Sequence, residues 1–218
     1  MDAAKARKHM VDSQVRPNDV TDVRLQTAMA SLPRERFVPA NRKALAYVER
    51  DVPLFEGRAL LKAREFSKLI HAANIQPTDL VLDIGCGYGY STAVLSHLAG
   101  VVVGLEETEE LAAKATERFS ELSLDNAVMM NGPLEEGWAK QGPYDVIVVA
   151  AGVEDGLGSL LDQLKEDVGR LVAIMVADGV GTGTLYTRAG DAFGERRLFE
   201  CHAATVLPGL TKPEAFQF

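Results

Sequence analysis

From residue 79 onward, short apolar runs alternate with segments whose apolar residues recur every three or four positions. The runs at 80–84, 101–105, 127–130, 144–150 and 170–176 are apolar almost throughout, as strands buried on both faces are. Between them, 90–98 and 157–164 read as helices. Thr108 stands where it would cap a third, whose Leu111, Ala112, Ala115, Phe119 and Leu122 share one face. Such alternation predicts parallel strands joined by right-handed crossovers, hence an α/β fold with a doubly wound, mostly parallel sheet covered by helices on both faces. After 176 the rhythm stops. Stretches 181–188 and 196–207 are strand-like and no helical period separates them, which predicts a C-terminal antiparallel hairpin joined through 189–194.

Ahead of residue 79 the pattern is helical and punctuated by proline. A helix is expected to start near Thr21, to carry Val23, Leu25, Met29 and Leu32, and to stop at Pro33. Arg36-Phe37-Val38-Pro39 is expected to be extended, because a residue before proline is biased away from helix. A further helix spans about 65–74 and Pro77 closes it. The expected division is an N-terminal helical segment, 1–78, and an α/β core, 79–218, forming one compact unit.

Composition mainly excludes. Apolar residues at 47% and charged residues at 25% are ordinary for a globular protein. No apolar run approaches the roughly 20 residues of a membrane span, and Asp2, Lys5, Arg7, Lys8 and His9 give the N-terminus none of the apolar core of a signal peptide, so a cytoplasmic protein without membrane contact is expected. Cys86, Cys201 and four scattered histidines provide no metal-ligand spacing, and no metal is expected. A net charge of −8 argues against general affinity for nucleic acid. The charge is uneven: residues 1–68 carry 14 basic against 9 acidic residues, a balance of +5, which leaves −13 for the rest and suits the front third to an anionic group. Nothing in the pattern fixes an oligomeric state.

The chemistry concentrates at Leu80-Val81-Leu82-Asp83-Ile84-Gly85-Cys86-Gly87-Tyr88-Gly89-Tyr90, a strand, a tight turn and a helix start. Glycines there permit backbone angles closed to other residues and let a ligand approach main-chain N–H groups at the carboxyl end of a strand. A dinucleotide fingerprint after Gly85 and Gly87 would require glycine at position 90, which is Tyr90. The pattern D-x-G-x-G-x-G instead resembles the first motif of class I methyltransferases that use S-adenosylmethionine. Gly85, Gly87 and Gly89 are then expected to approach the cofactor, and Asp83 to organise the loop or the cofactor's ammonium. Glu106, at the end of the next strand, would accept hydrogen bonds from the ribose hydroxyls. Glu107 reads as a solvated charge at a helix start. Cys86 has no histidine near it in sequence, and its role is packing under the ligand rather than nucleophilic attack.

Segments outside the loop resemble the protein-L-isoaspartate O-methyltransferases. Leu32-Pro33-Arg34-Glu35-Arg36-Phe37-Val38-Pro39 is similar to that family's amino-terminal signature, and Ala46-Tyr47 followed by Asp51-Val52-Pro53-Leu54 to its next stretch. Asp125-Asn126-Ala127-Val128, Gly142-Pro143-Tyr144-Asp145-Val146-Ile147, Leu160-Leu161-Asp162-Gln163-Leu164 and Gly169-Arg170-Leu171-Val172 follow in the family's order. The resemblance implies carboxyl methylation of isoaspartyl residues in damaged proteins, a protein or peptide carboxylate as substrate, and S-adenosyl-L-methionine as cofactor. Two departures stand out. Where the family carries a serine that contacts the substrate carboxylate, the stretch Ala59-Leu60-Leu61-Lys62-Ala63 has Leu61. Where a family aspartate meets adenine, the chain has Gly132-Pro133-Leu134, which leaves a backbone group near Leu134 as the candidate contact. Arg58, Lys62 and Arg64 flank Leu61 as alternative carboxylate ligands or as solvent-facing charges. A methyltransferase with another acceptor, and a non-catalytic adenosylmethionine-binding protein, stand as alternatives.

Overall fold

Helix α1 (Ala3–Met10) starts at Asp2, whose carboxylate accepts the Ala4 N–H, and runs on through a π turn at 11–15 and a 3-10 turn at 16–18. In this computed structural model, which describes residues 2–55, 57–202 and 204–213, Asp22 caps α2 (Val23–Ser31) by accepting from the Arg24 and Leu25 N–H groups. Leu25 and Met29 are buried as the spacing predicts, whereas Val23 faces solvent.

The segment 36–39 departs from the expected extended course. A 3-10 turn at 34–36 brings the Arg36 N–H to the Pro33 carbonyl, and Phe37 and Val38 turn into the core. The cause is tertiary. Arg34 is 1% exposed, donates to the carbonyls of Ala46 and Leu61 at 2.7 Å each, and stacks over the Tyr90 ring. Phe37 packs edge-on against the same ring. A two-stranded hairpin that periodicity did not reveal follows, β1 (Val52–Pro53) against β2 (Ala59–Leu60), and leads to α3 (Ala63–Ala73).

The α/β core contains β3 (Leu80–Ile84), α4 (Tyr90–Ser96), β4 (Val101–Glu106), α5 (Glu109–Glu121), β5 (Ala127–Asn131), β6 (Val146–Val153), α6 (Gly158–Asp162), β7 (Arg170–Ala177), β8 (Val180–Ala189) and β9 (Ala192–His202). One sheet holds β3 to β9 in the order β5-β4-β3-β6-β7-β8-β9, with parallel pairs as far as β7 and antiparallel pairs at β7-β8 and β8-β9. The chain leaves β3 toward β4 and β5, then returns to β6 on the other side. The carboxyl end of β3 is therefore the switch point where open α/β sheets bind ligands. The C-terminal hairpin is tighter than predicted: Ala189 pairs with Ala192, so the connection is Gly190-Asp191 and the second strand begins at Ala192 instead of 196. Residues 192–197 are exposed, and Gly194 with the charged run Glu195-Arg196-Arg197 hides the strand from a hydrophobic reading. Helix α6 is also shorter than 157–164.

Alternate residues feed two cores. Val81, Val102, Val146 and Val172 face the N-terminal helices, α3, α4 and α5 in one continuous cluster. Leu82, Ile84, Val103 and Ile147 face Leu157, Leu160 and Leu164 on the other side. The N-terminal segment thus closes over one face of the sheet and delivers Leu54, Arg58 and Leu61 to the end of β3. Among the described residues no helix is long and apolar enough to cross a membrane, and no cluster of three or more His, Cys, Asp or Glu side chains is arranged to hold a metal.

Candidate functional site

Gly85, Gly87 and Gly89 follow β3 with φ of 68°, 58° and 88°, all in the left-handed region that side chains disfavour. Space forbids a side chain as well. A Cβ on Gly85 would stand 2.7 Å from Leu207 and 2.9 Å from the Arg58 guanidinium, one on Gly87 2.9 Å from Leu54, and one on Gly89 2.7 Å from Phe119. The turn is pinned by the Gly85 N–H on the Leu105 carbonyl and the Gly89 N–H on the Cys86 carbonyl, both 2.9 Å.

Asp83 is fully buried. Its Oδ2 accepts from the Ser91 and Thr92 hydroxyls of α4 at 2.6 Å each, while Oδ1 has no partner. Burial pushes the Asp83 carboxyl up to about 7; the two hydroxyl bonds oppose that rise and the Glu106 charge adds to it. Glu106, also fully buried, ends β4 and accepts the Gly87 N–H at 2.8 Å and the Glu107 and Thr108 N–H groups at 3.1 and 3.4 Å. Its main partner is Arg58, which donates Nη1 to Oε1 at 2.7 Å and Nη2 to Oε2 at 2.8 Å with a side chain only 5% exposed. Glu107 stays partly exposed 3.7 Å from the same guanidinium.

Cys86 is buried, its sulfur 3.7 Å from the Met129 sulfur and 3.9 Å from the Leu105 carbonyl, and burial first, then the Asp83 and Glu106 charges, raise its thiol well above the usual range. A neutral thiol under the loop is a packing group. Leu61 is buried and lines a cavity of about 20 Å³ with Arg58, Leu60, Gly85, Cys86 and Ser91. Leu134 is also fully buried, and its carbonyl accepts the Gly137 N–H at 3.2 Å. Lys62 and Arg64 both pair with the buried carboxylate of Glu65, at 3.1 and 3.0 Å. The fold thus gathers Asp83, the glycines, Cys86, Glu106 and Leu61, turns Arg58 inward, and spends Lys62 and Arg64 on an internal acid.

Sequence reasoning missed Arg58 as the partner of Glu106 and Ser91 and Thr92 as partners of Asp83. The hydroxyls had a signal, since they fall eight and nine residues after Asp83 on the first turn of the helix that the glycine loop opens. Arg58 had none, because its partner lies 48 residues away.

A doubly wound sheet with a D-x-G-x-G-x-G turn at its switch point and an acid ending the next strand defines a class I methyltransferase that uses S-adenosylmethionine. The residues fit that cofactor: a backbone cradle closed to any Cβ, an unpartnered buried carboxyl oxygen on Asp83, and a carboxylate at the end of β4. The family model described as protein-L-isoaspartate(D-aspartate) O-methyltransferase matches residues 5–193, and the chain belongs to that family. Protein-L-isoaspartate O-methyltransferase of Koribacter versatilis is 39% identical over 166 residues, covering 76% of this chain and 74% of the relative. The protein of the same name from Roseiflexus castenholzii is 32% identical across 96% of this chain and 95% of its own. Among solved structures, one named protein-L-isoaspartate O-methyltransferase superposes with a TM-score of 0.81 at 21% identity, covering 94% of this chain and 67% of that one. A Plasmodium falciparum structure of that type, in complex with S-adenosyl-L-homocysteine, superposes at 0.75 and 20% identity over 91% and 97%. Both share the fold.

Proposed function

We propose that this protein transfers the methyl group of S-adenosylmethionine to the side-chain carboxylate of isoaspartyl residues in proteins or peptides, a repair activity. The observation that carries the reading is the buried Asp83–Gly89–Glu106 constellation at the switch point, within a chain of this family. Bound adenosylmethionine supplies a sulfonium methyl group, an electrophile that a carboxylate meets without first losing a proton. The protein is therefore asked to position and desolvate rather than to abstract.

In this reading the backbone of the 85–89 turn borders the cofactor, its Gly85, Gly87 and Gly89 N–H groups being spent on holding the turn, and Glu106 accepts from the ribose diol. Oδ1 of Asp83 is left for an ammonium, since Ser91 and Thr92 both bond Oδ2. Cys86 packs below, and a backbone group by Leu134 borders the adenine. Leu61 lines the acceptor side, where it excludes water without offering a hydrogen bond. A net charge of −8 disfavours nucleic acid as acceptor, and a cytoplasmic location goes with the reading.

The test is methyl transfer from labelled adenosylmethionine to an isoaspartyl peptide, with the aspartyl peptide as control. Labelling of the isoaspartyl form alone is expected. Binding of adenosylhomocysteine with no transfer to either peptide would overturn the acceptor assignment.

A further inference from the structure

Arg58 holds the very carboxylate that the cofactor's ribose requires. Its two guanidinium N–H groups reach Oε1 and Oε2 of Glu106, a bidentate fork that two vicinal ribose hydroxyls would otherwise supply. Both sets of donors cannot occupy one edge. The guanidinium also lies over the cradle, 2.9 Å from where a Cβ of Gly85 would stand, and Leu54 lies 2.9 Å from where a Cβ of Gly87 would stand. Leu54, Phe55 and Arg58 are tied together. The Leu54 N–H donates to the Arg58 carbonyl at 2.8 Å and the Arg58 N–H to the Phe55 carbonyl at 2.5 Å. With Arg58 on Glu106 the cavity measures about 20 Å³, against the several hundred of a typical small-ligand site.

We propose that Arg58 is an intramolecular competitor of the methyl donor, a latch on Glu106 that adenosylmethionine must displace before it binds. The proposal rests on the donor-site reading above and adds a regulator to it. Displacing Arg58 breaks an otherwise buried ion pair, so only the fraction of molecules with its guanidinium off Glu106 is competent, and the apparent affinity falls by that fraction. Glu106 is not stranded by the exchange, because the N–H groups of Gly87, Glu107 and Thr108 continue to hold it.

Calorimetry with S-adenosylhomocysteine on wild type and on Arg58→Ala tests the latch without any turnover. The variant is expected to bind at least tenfold more tightly, and adding Glu106→Gln to it is expected to abolish that gain. Arg58→Met, which keeps the apolar stem beside Gly85 and removes the fork, carries the test if melting curves show the alanine variant to be unfolded. Equal or weaker binding by a folded Arg58 variant overturns the latch. No binding by wild type or variant at millimolar ligand overturns the donor-site reading itself, so the two failures are distinguishable.

Discussion

Replacing Asp83 by asparagine should stabilise the protein at neutral and alkaline pH, although it removes a charged residue with two hydrogen bonds. The carboxyl is fully buried, and its folded value of about 7 stands against an ordinary 3.8. Above pH 4 the unfolded chain loses this proton while the folded protein keeps it until about pH 7. The unfolded state therefore binds fewer protons across that interval, and stability falls as pH rises. At about 1.36 kcal/mol per unit, a displacement of roughly 3 units costs about 4 kcal/mol by pH 8, none of it present below pH 4. Asparagine has nearly the same shape, its carbonyl can still accept from Ser91 and Thr92, and it does not titrate. Urea unfolding of both proteins at unit steps from pH 4 to 8 measures the effect. The variant's advantage over wild type should grow by about 4 kcal/mol, nearly all of it between pH 4 and 7. A constant difference over that range would mean that Asp83 is ionised in the folded protein and would refute the reasoning.

Placing a hydroxyl at position 61 by Leu61→Ser should raise kcat/KM on an isoaspartyl peptide by roughly 10- to 150-fold, the worth of one orienting hydrogen bond to a charged group. Adenosylhomocysteine affinity should not change, and an unaltered kcat/KM would show that position 61 does not meet the carboxylate. Arg34→Met should destabilise the fold by about 3 kcal/mol, since the buried carbonyls of Ala46 and Leu61 each lose a charged donor at roughly 1 to 3 kcal/mol apiece. Calorimetric melting is expected to drop by about 6 to 12 °C for a chain of this size; a shift under 2 °C would mean that water replaces the guanidinium.

Local pattern carried the sheet and the donor loop because both are written in neighbouring residues. Leu80–Ile84 is an apolar run, and the three glycines after it are forced by backbone angles and close contacts inside one short turn. What the pattern could not express is contact between distant segments. The bend at 34–38 follows from Arg34 seeking the carbonyls of Ala46 and Leu61, 12 and 27 residues on, against a proline rule that describes only nearest neighbours. Basic residues around Leu61 read equally as ligands for an acceptor or as solvated charges, since sequence gives a charge but not its partner. Folding assigns all three to internal acids, Arg58 to Glu106 and Lys62 and Arg64 to Glu65. The balance of +5 over residues 1–68 therefore overstates the positive charge free to meet an anionic substrate. On the proposed reading, an acceptor carboxylate entering beside Leu61 would compete with Glu65 for cations already engaged, just as the ribose would compete with Arg58 for Glu106. Both halves of the proposed site would then be held by the protein's own ions, and ligand affinity would be a difference between two satisfied states.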